Sequence, residues 1–167
     1  MTLRSPRRAL LPAAFALLAP VQVAHAATAS TTFSVTATVL ASCNVSAGTL
    51  AFGSYSPASG SPTDAMSTIN VVCTNGTTYT VALDGGSTAN NVAARAMNDT
   101  HSHMLTYGIY TDSARSTVWG DGTGATVTQA GTGNGATQSL TAYGRVPAAQ
   151  FAAAGSYADT VTVTVTY

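Results

Sequence analysis

Apolar and polar residues alternate along most of this chain, with the period of two that is typical of strands buried on one face. Valine and threonine alternate through the stretch YADTVTVTVTY at 157–167. The stretch TFSVTATVL at 32–40 alternates in the same way and places four apolar side chains on one face, those of Phe33, Val35, Ala37 and Val39. Helical periodicity is almost absent, so the pattern predicts an all-β protein.

Further short strands follow from the same pattern. It predicts strands at 49–55, 67–73, 78–84, 103–112 and 137–146, with shorter candidates at 92–97 and 117–119. Many short strands at this spacing, separated by turns rich in glycine, asparagine and aspartate, are typical of a β-sandwich. The stretch at 147–155 predicts the one helical turn, and the glycine- and threonine-rich stretch at 120–136 predicts a long, mobile hairpin loop.

The first 26 residues have the features of a secretory signal peptide. Three arginines precede an apolar run at 9–23 that is short and interrupted by proline, and Ala24-His25-Ala26 matches a small-x-small cleavage site. An uncleaved N-terminal anchor is the alternative. Later segments are too short and too polar to span a bilayer. We therefore expect an exported chain with no transmembrane segment after residue 26.

The exported part carries very little charge. It contains no lysine and no glutamate, and its three arginines face six aspartates, which leaves a net charge of about −3. Charged residues make up 7% of the whole chain, whereas roughly a quarter is usual. No basic footprint is present, so we expect no nucleic-acid partner. A surface of threonine, serine, asparagine and glycine suits an extracellular or assembled protein.

Two cysteines, Cys43 and Cys73, are the only ones in the chain. In an exported protein, an even number of cysteines is most simply explained by disulfide pairing. We therefore predict a Cys43–Cys73 disulfide. Two buried free thiols are the alternative.

Motifs of catalysis and cofactor binding are weak in this sequence. Gly120-x-Gly122-x-x-Ala125 superficially matches a dinucleotide fingerprint, but no amphipathic helix follows it to hold a pyrophosphate. There is no Gly-x-Ser-x-Gly elbow, and the few histidines and turn aspartates form no recognisable nucleophile–base set. We expect no catalytic residues, no enzymatic activity and no cofactor.

The pair His101-x-His103 could place two imidazoles on one side of a strand. A metal site needs a third or fourth ligand nearby, and Asp99 and Asp112 are the only acids close in sequence. The pattern favours a solvated turn before a strand, so we expect no metal site here.

Several stretches, in this order, resemble one family: ASCNV at 41–45, LAFGSY at 50–55, INVVCTNGTTYTVALDGG at 69–86, MLTYGIYTDSARSTVWGDGT at 104–123, AYGRVPAAQ at 142–150 and GSYADTVTVTVTY at 155–167. The chain resembles the spore coat protein U domain family, which includes the subunits of archaic, Csu-type chaperone–usher pili. The resemblance covers essentially everything after the signal peptide, and none of its motifs is catalytic.

The resemblance implies an incomplete immunoglobulin-like β-sandwich that lacks its last strand. It implies a signal peptide at 1–26, a donor strand at 27–40 and the sandwich domain at 41–167. In such a subunit, a groove beside the C-terminal strand is filled by the donor strand of the next subunit. The donor residues would be Phe33, Val35, Ala37 and Val39, and the acceptor strand would present Val161, Val163, Val165 and Tyr167.

The C-terminal alternation supports this implication on physical grounds. An uncovered, alternating edge strand without lysine, proline or an inward charge is an aggregation hazard, so something must pair with it. β-Strand addition provides such pairing through main-chain hydrogen bonds, while alternate side chains set the register. The alternative is that residues 32–40 pair within their own chain as an ordinary first strand.

The function implied is that of a structural subunit of a secreted surface fibre. Its partners would be copies of itself or related subunits, a periplasmic chaperone and an outer-membrane usher, and its location would be the cell surface, reached through the periplasm. One alternative is a structural protein of a spore or cell coat. Another is a monomeric secreted carbohydrate-binding domain using Trp119 and the loop 120–136, although a tryptophan in a sandwich is more often part of the core.

Overall fold

The structure is a computed structural model that describes residues 25–167. The predicted signal peptide therefore lies almost wholly outside the described residues. Of the unit Met1–Ala37, the described part contains no helix or strand, and the compact unit Thr38–Tyr167 contains every strand assigned. Among residues 25–167, no helix has the length and apolar character needed to cross a bilayer.

Eight strands and a single 3-10 turn are the regular elements of the described residues. The strands are β1 (Cys43–Ala47), β2 (Thr63–Cys73), β3 (Thr78–Leu83), β4 (Arg95–Asn98), β5 (Met104–Tyr110), β6 (Gln129–Thr132), β7 (Gln138–Val146) and β8 (Val163–Thr166). The 3-10 turn, Pro57–Ser59, begins on a proline, which presets the backbone angle that such a turn requires.

The strands form two antiparallel sheets. Strands β1, β2, β7, β5 and β4 lie side by side in that order in one sheet, and β6, β3 and β8 form the other. The predicted fold class is confirmed: the protein is all-β, with the architecture of a pilin-type sandwich. Its completion by a donated strand stays a prediction at this point.

The core consists of the inward-facing residues of the alternating strands. Ile69 and Val71 of β2 and Val81 and Leu83 of β3 are buried in one cluster, as the period of two requires. Trp119 belongs to the same cluster, with none of its surface exposed, and its Nε1–H donates a 3.0 Å hydrogen bond to the carbonyl of Val81. A fully buried indole cannot stack on a sugar, so the carbohydrate-binding alternative loses its proposed tryptophan.

Arg95 is fully buried beside this core, which sequence analysis did not anticipate. Its Nε donates to the carbonyl of Asp84 at 2.8 Å, and its Nη2 donates to the carbonyls of Leu83 and Trp119 at 3.3 and 3.0 Å. Burial lowers the pKa of the guanidinium from its usual value. These hydrogen bonds to carbonyls tie the end of β3 to the segment that carries the tryptophan.

The predicted disulfide is confirmed. Cys43 and Cys73 are directly opposite each other in the β1–β2 ladder, with 4.1 Å between their Cα atoms, and their sulfurs are bonded. The bridge therefore fastens the short edge strand β1 to the long strand β2.

Replacing both cysteines by serine is expected to lower the free energy of unfolding by about 3–4 kcal/mol. The bridge closes a loop with a sequence separation of 30 residues, and cross-linking a loop of that size removes conformational entropy from the unfolded chain. Urea unfolding of the double variant and the oxidised protein measures the difference. A Val72→Ala variant, altered at a partly exposed position of the same strand pair, should lose much less. Equal stability with and without the bridge would contradict the expectation.

Some segments differ from the sequence-based predictions. Residues 49–55 were expected to be a strand but lie over β7 without regular pairing, whereas β1, which begins at Cys43, was missed. The loop at 120–136 contains β6, which pairs with β3. No helix forms at 147–155, where the side-chain amide of Gln150 instead hydrogen-bonds to both the N–H and the carbonyl of Thr106.

Candidate functional site

A groove of about 1040 Å³ opens between the two sheets, on the side where β1 and β8 are the edge strands. Its floor is formed by core side chains, among them those of Leu83, Leu105, Ile109 and Val146, each of which is itself almost fully buried. One wall is the segment 47–55, which begins at the last residue of β1, and the other is the segment 152–163, which ends at the first residue of β8. The groove is therefore a cleft between the two sheets that is lined mainly by apolar residues.

The first wall lies on the sheet because β7 has a glycine beneath it. A Cβ atom on Gly144 would come within 2.8 Å of Leu50 Cδ2 and 2.9 Å of Phe52 Cζ. Phe52 also makes an edge-on contact with Tyr107, with 6.0 Å between ring centroids. Tyr55 ends the wall by donating a 2.9 Å hydrogen bond to the carbonyl of Pro147. These contacts hold Leu50 and Phe52 as apolar lining.

In the second wall, one side of the backbone is hydrogen-bonded to neighbouring segments of the chain and the other side faces the groove. The carbonyls of Thr160 and Thr162 accept hydrogen bonds of 2.9 and 3.1 Å from Ser87 and Asp84, and β8 continues this pairing with β3. In an extended strand, successive residues direct their backbone groups to opposite sides. The amides and carbonyls of the intervening residues, such as Val161, therefore face the groove edge.

Asp159 is the one charged side chain that lines the groove, and its oxygens are already occupied. It accepts hydrogen bonds from the Tyr107 hydroxyl at 2.6 Å, the Ser87 hydroxyl at 2.9 Å and the Thr88 amide at 3.0 Å. Gly86 allows this approach, because its φ is 77° and a Cβ there would collide with the carboxylate. Burial raises the pKa of Asp159, but the hydrogen bonds lower it further, so the net shift is downward.

Asp159→Asn is expected to destabilise the protein at pH 7 by about 1–3 kcal/mol, because a charged hydrogen-bond acceptor is lost. The lowered pKa of Asp159 stabilises the fold above its unfolded value of about 3.9, and this contribution disappears as the pH falls through the lower folded value. Urea unfolding between pH 6 and pH 2 should therefore show a smaller loss of stability at acid pH in Asp159→Asn than in the parent chain. Parallel curves for the two proteins would contradict this assignment.

The groove offers an incoming molecule apolar surface and a free strand edge rather than polar anchors. The amide group of Gln150, another lining residue, is bound on both sides by Thr106 and Pro147. A volume of about 1040 Å³ lies at the upper end of the range for small-molecule sites, which also present a few convergent polar groups. An extended apolar peptide segment fits this chemistry better than a polar small molecule does.

The predicted acceptor residues are not all in the groove. Val161 and Val163 line it, and Val165 is half-buried against the core. Tyr167 is 59% exposed and lies instead at a shallow depression beside Tyr79. Sequence analysis missed Leu50 and Phe52 as lining, although the apolar alternation in LAFGSY was the signal that could have identified them.

The predicted donor residues are exposed. The side chains of Phe33, Val35 and Val39 are 86%, 80% and 81% exposed, and Ala37 is also exposed. No strand is assigned between residues 25 and 42, so the alternating stretch at 32–40 is not an ordinary first strand here. An apolar face of this kind, left in water, is a candidate for burial in a partner.

The structure also brings Asp99, His101 and His103 together in the turn between β4 and β5. Asp99 Oδ2 lies 2.8 Å from His103 Nδ1 and 3.8 Å from His101 Nδ1. The hydrogen bond with His103 is the main cause that lowers the pKa of Asp99 to about 2. Sequence analysis named Asp99 as a nearby acid but could not show that its carboxylate meets both imidazoles.

Comparison with known proteins agrees with this architecture. A curated relative, Protein U of Myxococcus xanthus, is 33% identical over 159 residues that cover 86% of this chain and 88% of the relative. A chain in the crystal structure of the CsuC–CsuE chaperone–tip adhesion subunit pre-assembly complex, from archaic chaperone–usher Csu pili of Acinetobacter baumannii, superposes with a TM-score of 0.57 at 26% identity. The match covers 78% of this chain but only 40% of that one.

A family profile also matches most of the chain. The profile of the Spore Coat Protein U domain matches residues 29–164, which include the stretch at 32–40, both cysteines and the first half of β8. With a relative that is 33% identical along most of both chains, this match shows that the chain belongs to the Spore Coat Protein U domain family.

Proposed function

We propose that this chain is a structural subunit of a secreted surface fibre and that it polymerises by donor-strand complementation. Residues 27–40 of one copy enter the groove of the next and add a strand beside β8. One observation carries the proposal: the same chain has an unfilled apolar groove with a free strand edge and an exposed, alternating apolar segment. The family and the fold are those of structural pilus subunits. We therefore expect no enzymatic activity.

The energetics favour a stable joint. Burial of Phe33, Val35 and Val39, which are now almost fully exposed, contributes about 5–9 kcal/mol. Main-chain hydrogen bonds to the free edge of β8 add affinity, and the inward side chains fix the register. In each joint the donated strand also covers the apolar floor. Its pairing with β8 removes an exposed strand edge that otherwise invites aggregation.

An open apolar groove requires protection before assembly. We infer that a periplasmic chaperone supplies a temporary strand and that an outer-membrane usher exchanges it for the donor segment of the next subunit. The structural similarity to a chain from a chaperone–tip adhesion subunit pre-assembly complex supports this partnership. Because this chain spans only 40% of that chain, both partners remain part of the proposal.

The decisive experiment compares charge substitutions at two neighbouring positions of the donor segment. Val35 is on the face that would enter the groove, and Thr36 is on the opposite face. Fibre formation is scored by electron microscopy of cells that produce the chain with its chaperone and usher. Loss of fibres with Val35→Asp, but not with Thr36→Asp, supports the proposal. The same result for both variants, or the reverse order, contradicts it.

A structural protein of a spore or cell coat is the second candidate, and the name of the matched family favours it. The same strand addition would then build a layer instead of a fibre. Immunogold labelling of producing cells separates the two: label along thin appendages indicates a fibre subunit, and label confined to a continuous surface layer indicates a coat protein.

A further inference from the structure

The turn between β4 and β5 is built around one carboxylate. Asp99 Oδ1 accepts hydrogen bonds of 2.9 Å from the backbone amides of both His101 and His103. Ser102, between them, has a left-handed φ of 66°, which folds the chain back toward the carboxylate. The backbone amides of the turn therefore hold Oδ1, and both imidazoles are placed beside the other carboxylate oxygen, Oδ2.

The distances between the side chains suit a shared ion. Two atoms bound to one Zn²⁺ at about 2.0–2.2 Å lie roughly 2.8–3.6 Å apart when the angle at the metal is between about 90° and 110°. Asp99 Oδ2 and His103 Nδ1 are 2.8 Å apart, and His101 Nδ1 is 3.8 Å from the same oxygen. The ligand atoms of all three residues lie within 4.8 Å of one another. To complete the set, His101 must rotate away from the Thr100 hydroxyl, which now lies 3.3 Å from its Nδ1.

We propose that Asp99, His101 and His103 form a surface site for a divalent transition-metal ion of the Zn²⁺ and Cu²⁺ class. His103 binds through Nδ1, the atom that now lies 2.8 Å from Asp99 Oδ2, and does so in the tautomer that carries its hydrogen on Nε2. Water completes the coordination, since three protein ligands leave positions open. The site depends only on this turn and is independent of how the chain polymerises.

Burial and composition distinguish the cluster from a simple capped turn. The Asp99 side chain is 6% exposed, whereas those of His101 and His103 are 77% and 51% exposed, so an anionic oxygen is fixed below two rings that solvent ions can reach. Capping the turn requires the Asp99 carboxylate but neither imidazole. The chain has only three histidines, and two of them are placed here.

The ligand set selects the kind of ion. Imidazole nitrogen with one carboxylate oxygen suits Zn²⁺, Cu²⁺ and Ni²⁺, whereas Ca²⁺ and Mg²⁺ prefer sites made of oxygen. Among the divalent ions, Cu²⁺ is expected to bind more tightly than Zn²⁺. The experiment uses zinc chloride to supply an ion that this ligand set should bind. Calcium chloride supplies an ion that it should not bind and serves as the negative control.

Equilibrium dialysis against zinc chloride, followed by metal analysis, tests the proposal on the exported chain in the assembly state in which it is isolated. The affinity tag must contain no histidine. The expected result is saturable binding of one Zn²⁺ per chain at micromolar concentration, with no binding of Ca²⁺. His101→Gln and His103→Gln should each weaken zinc binding roughly ten-fold or more, because each removes a ligand.

Asp99→Asn is a further test variant, and Asp112→Asn is its matched control. Both aspartates cap a turn, but Asp112 accepts hydrogen bonds from Ser116 and Thr117 and has no imidazole beside it. Asp99→Asn should weaken zinc binding at least as much as the histidine changes do, and Asp112→Asn should leave it unchanged. Circular dichroism establishes that each variant is folded. Zinc binding that persists in the double histidine variant, or that never saturates below millimolar concentration in the parent chain, overturns the proposal.

Discussion

Val35→Asp is expected to abolish fibre assembly and to leave the chaperone-bound subunit folded. In the joint, this side chain would face a groove floor of leucine, isoleucine and valine, where a carboxylate loses its hydration without gaining a partner. The cost of several kcal/mol removes most of the 5–9 kcal/mol that burial of the donor face contributes. The acceptor side of the same copy is unchanged, so a chaperone strand can still cover its groove.

Thr36→Asp is the matched control, since it introduces the same charge one residue away. Period-two geometry turns position 36 outward in any strand that turns position 35 inward. Fibre yield and the sedimentation of assembled material should therefore stay near the level of the parent chain. If Thr36→Asp is the more damaging change, the donor strand enters in the opposite register. Normal assembly of both variants would exclude donation by this segment.

Fusion of a second copy of residues 27–40 behind Tyr167, through a short flexible linker, is expected to yield a stable monomer. The added segment can turn back as a hairpin and run antiparallel to β8, which brings its apolar face over the open floor. Filling the groove within one chain should raise the melting temperature by more than about 10 °C, given about 5–9 kcal/mol of new burial. Size-exclusion chromatography and thermal melting measure both effects.

The control for the fusion carries Val35→Asp in the appended copy only. It has the same length, linker and charge elsewhere, so a difference between the two fusions reports insertion into the groove. We expect the control to melt near the temperature of the unfused chain and to aggregate or oligomerise. If both fusions are equally stable, the appended segment acts without entering the groove, and the acceptor assignment is wrong. This outcome is independent of the zinc measurements on the turn at Asp99.

Local patterning was sufficient to predict most of the strands. Segments such as 67–73 and 78–84 have one apolar and one polar face, and such a sequence buries its apolar residues only as a strand with one face inward. The disulfide was predictable because an exported chain with two cysteines has one possible intramolecular pair. Segments whose partners lie far away in sequence were harder: β6 has little apolar character, and its strand conformation depends on pairing with β3.

The sites were less predictable than the fold, because their geometry arises from contacts between distant residues. Alternation alone suggested a strand at 49–55, yet Leu50 and Phe52 form a groove wall because Gly144 leaves room for them on β7. Burial of Arg95 could not be anticipated, since the three carbonyls that stabilise it come from other parts of the chain. The meeting of Asp99 with two imidazoles likewise depends on one left-handed turn residue.

The sequence by itself predicted an exported, all-β and cross-linked chain with two alternating stretches, at 32–40 and 157–167. Those properties follow from local patterns, because side-chain periodicity and cysteine pairing need no knowledge of distant contacts. Only the tertiary structure decided that the first stretch remains exposed and that a groove opens beside β8. The shape of such a groove depends on how two sheets meet, and no single segment encodes it.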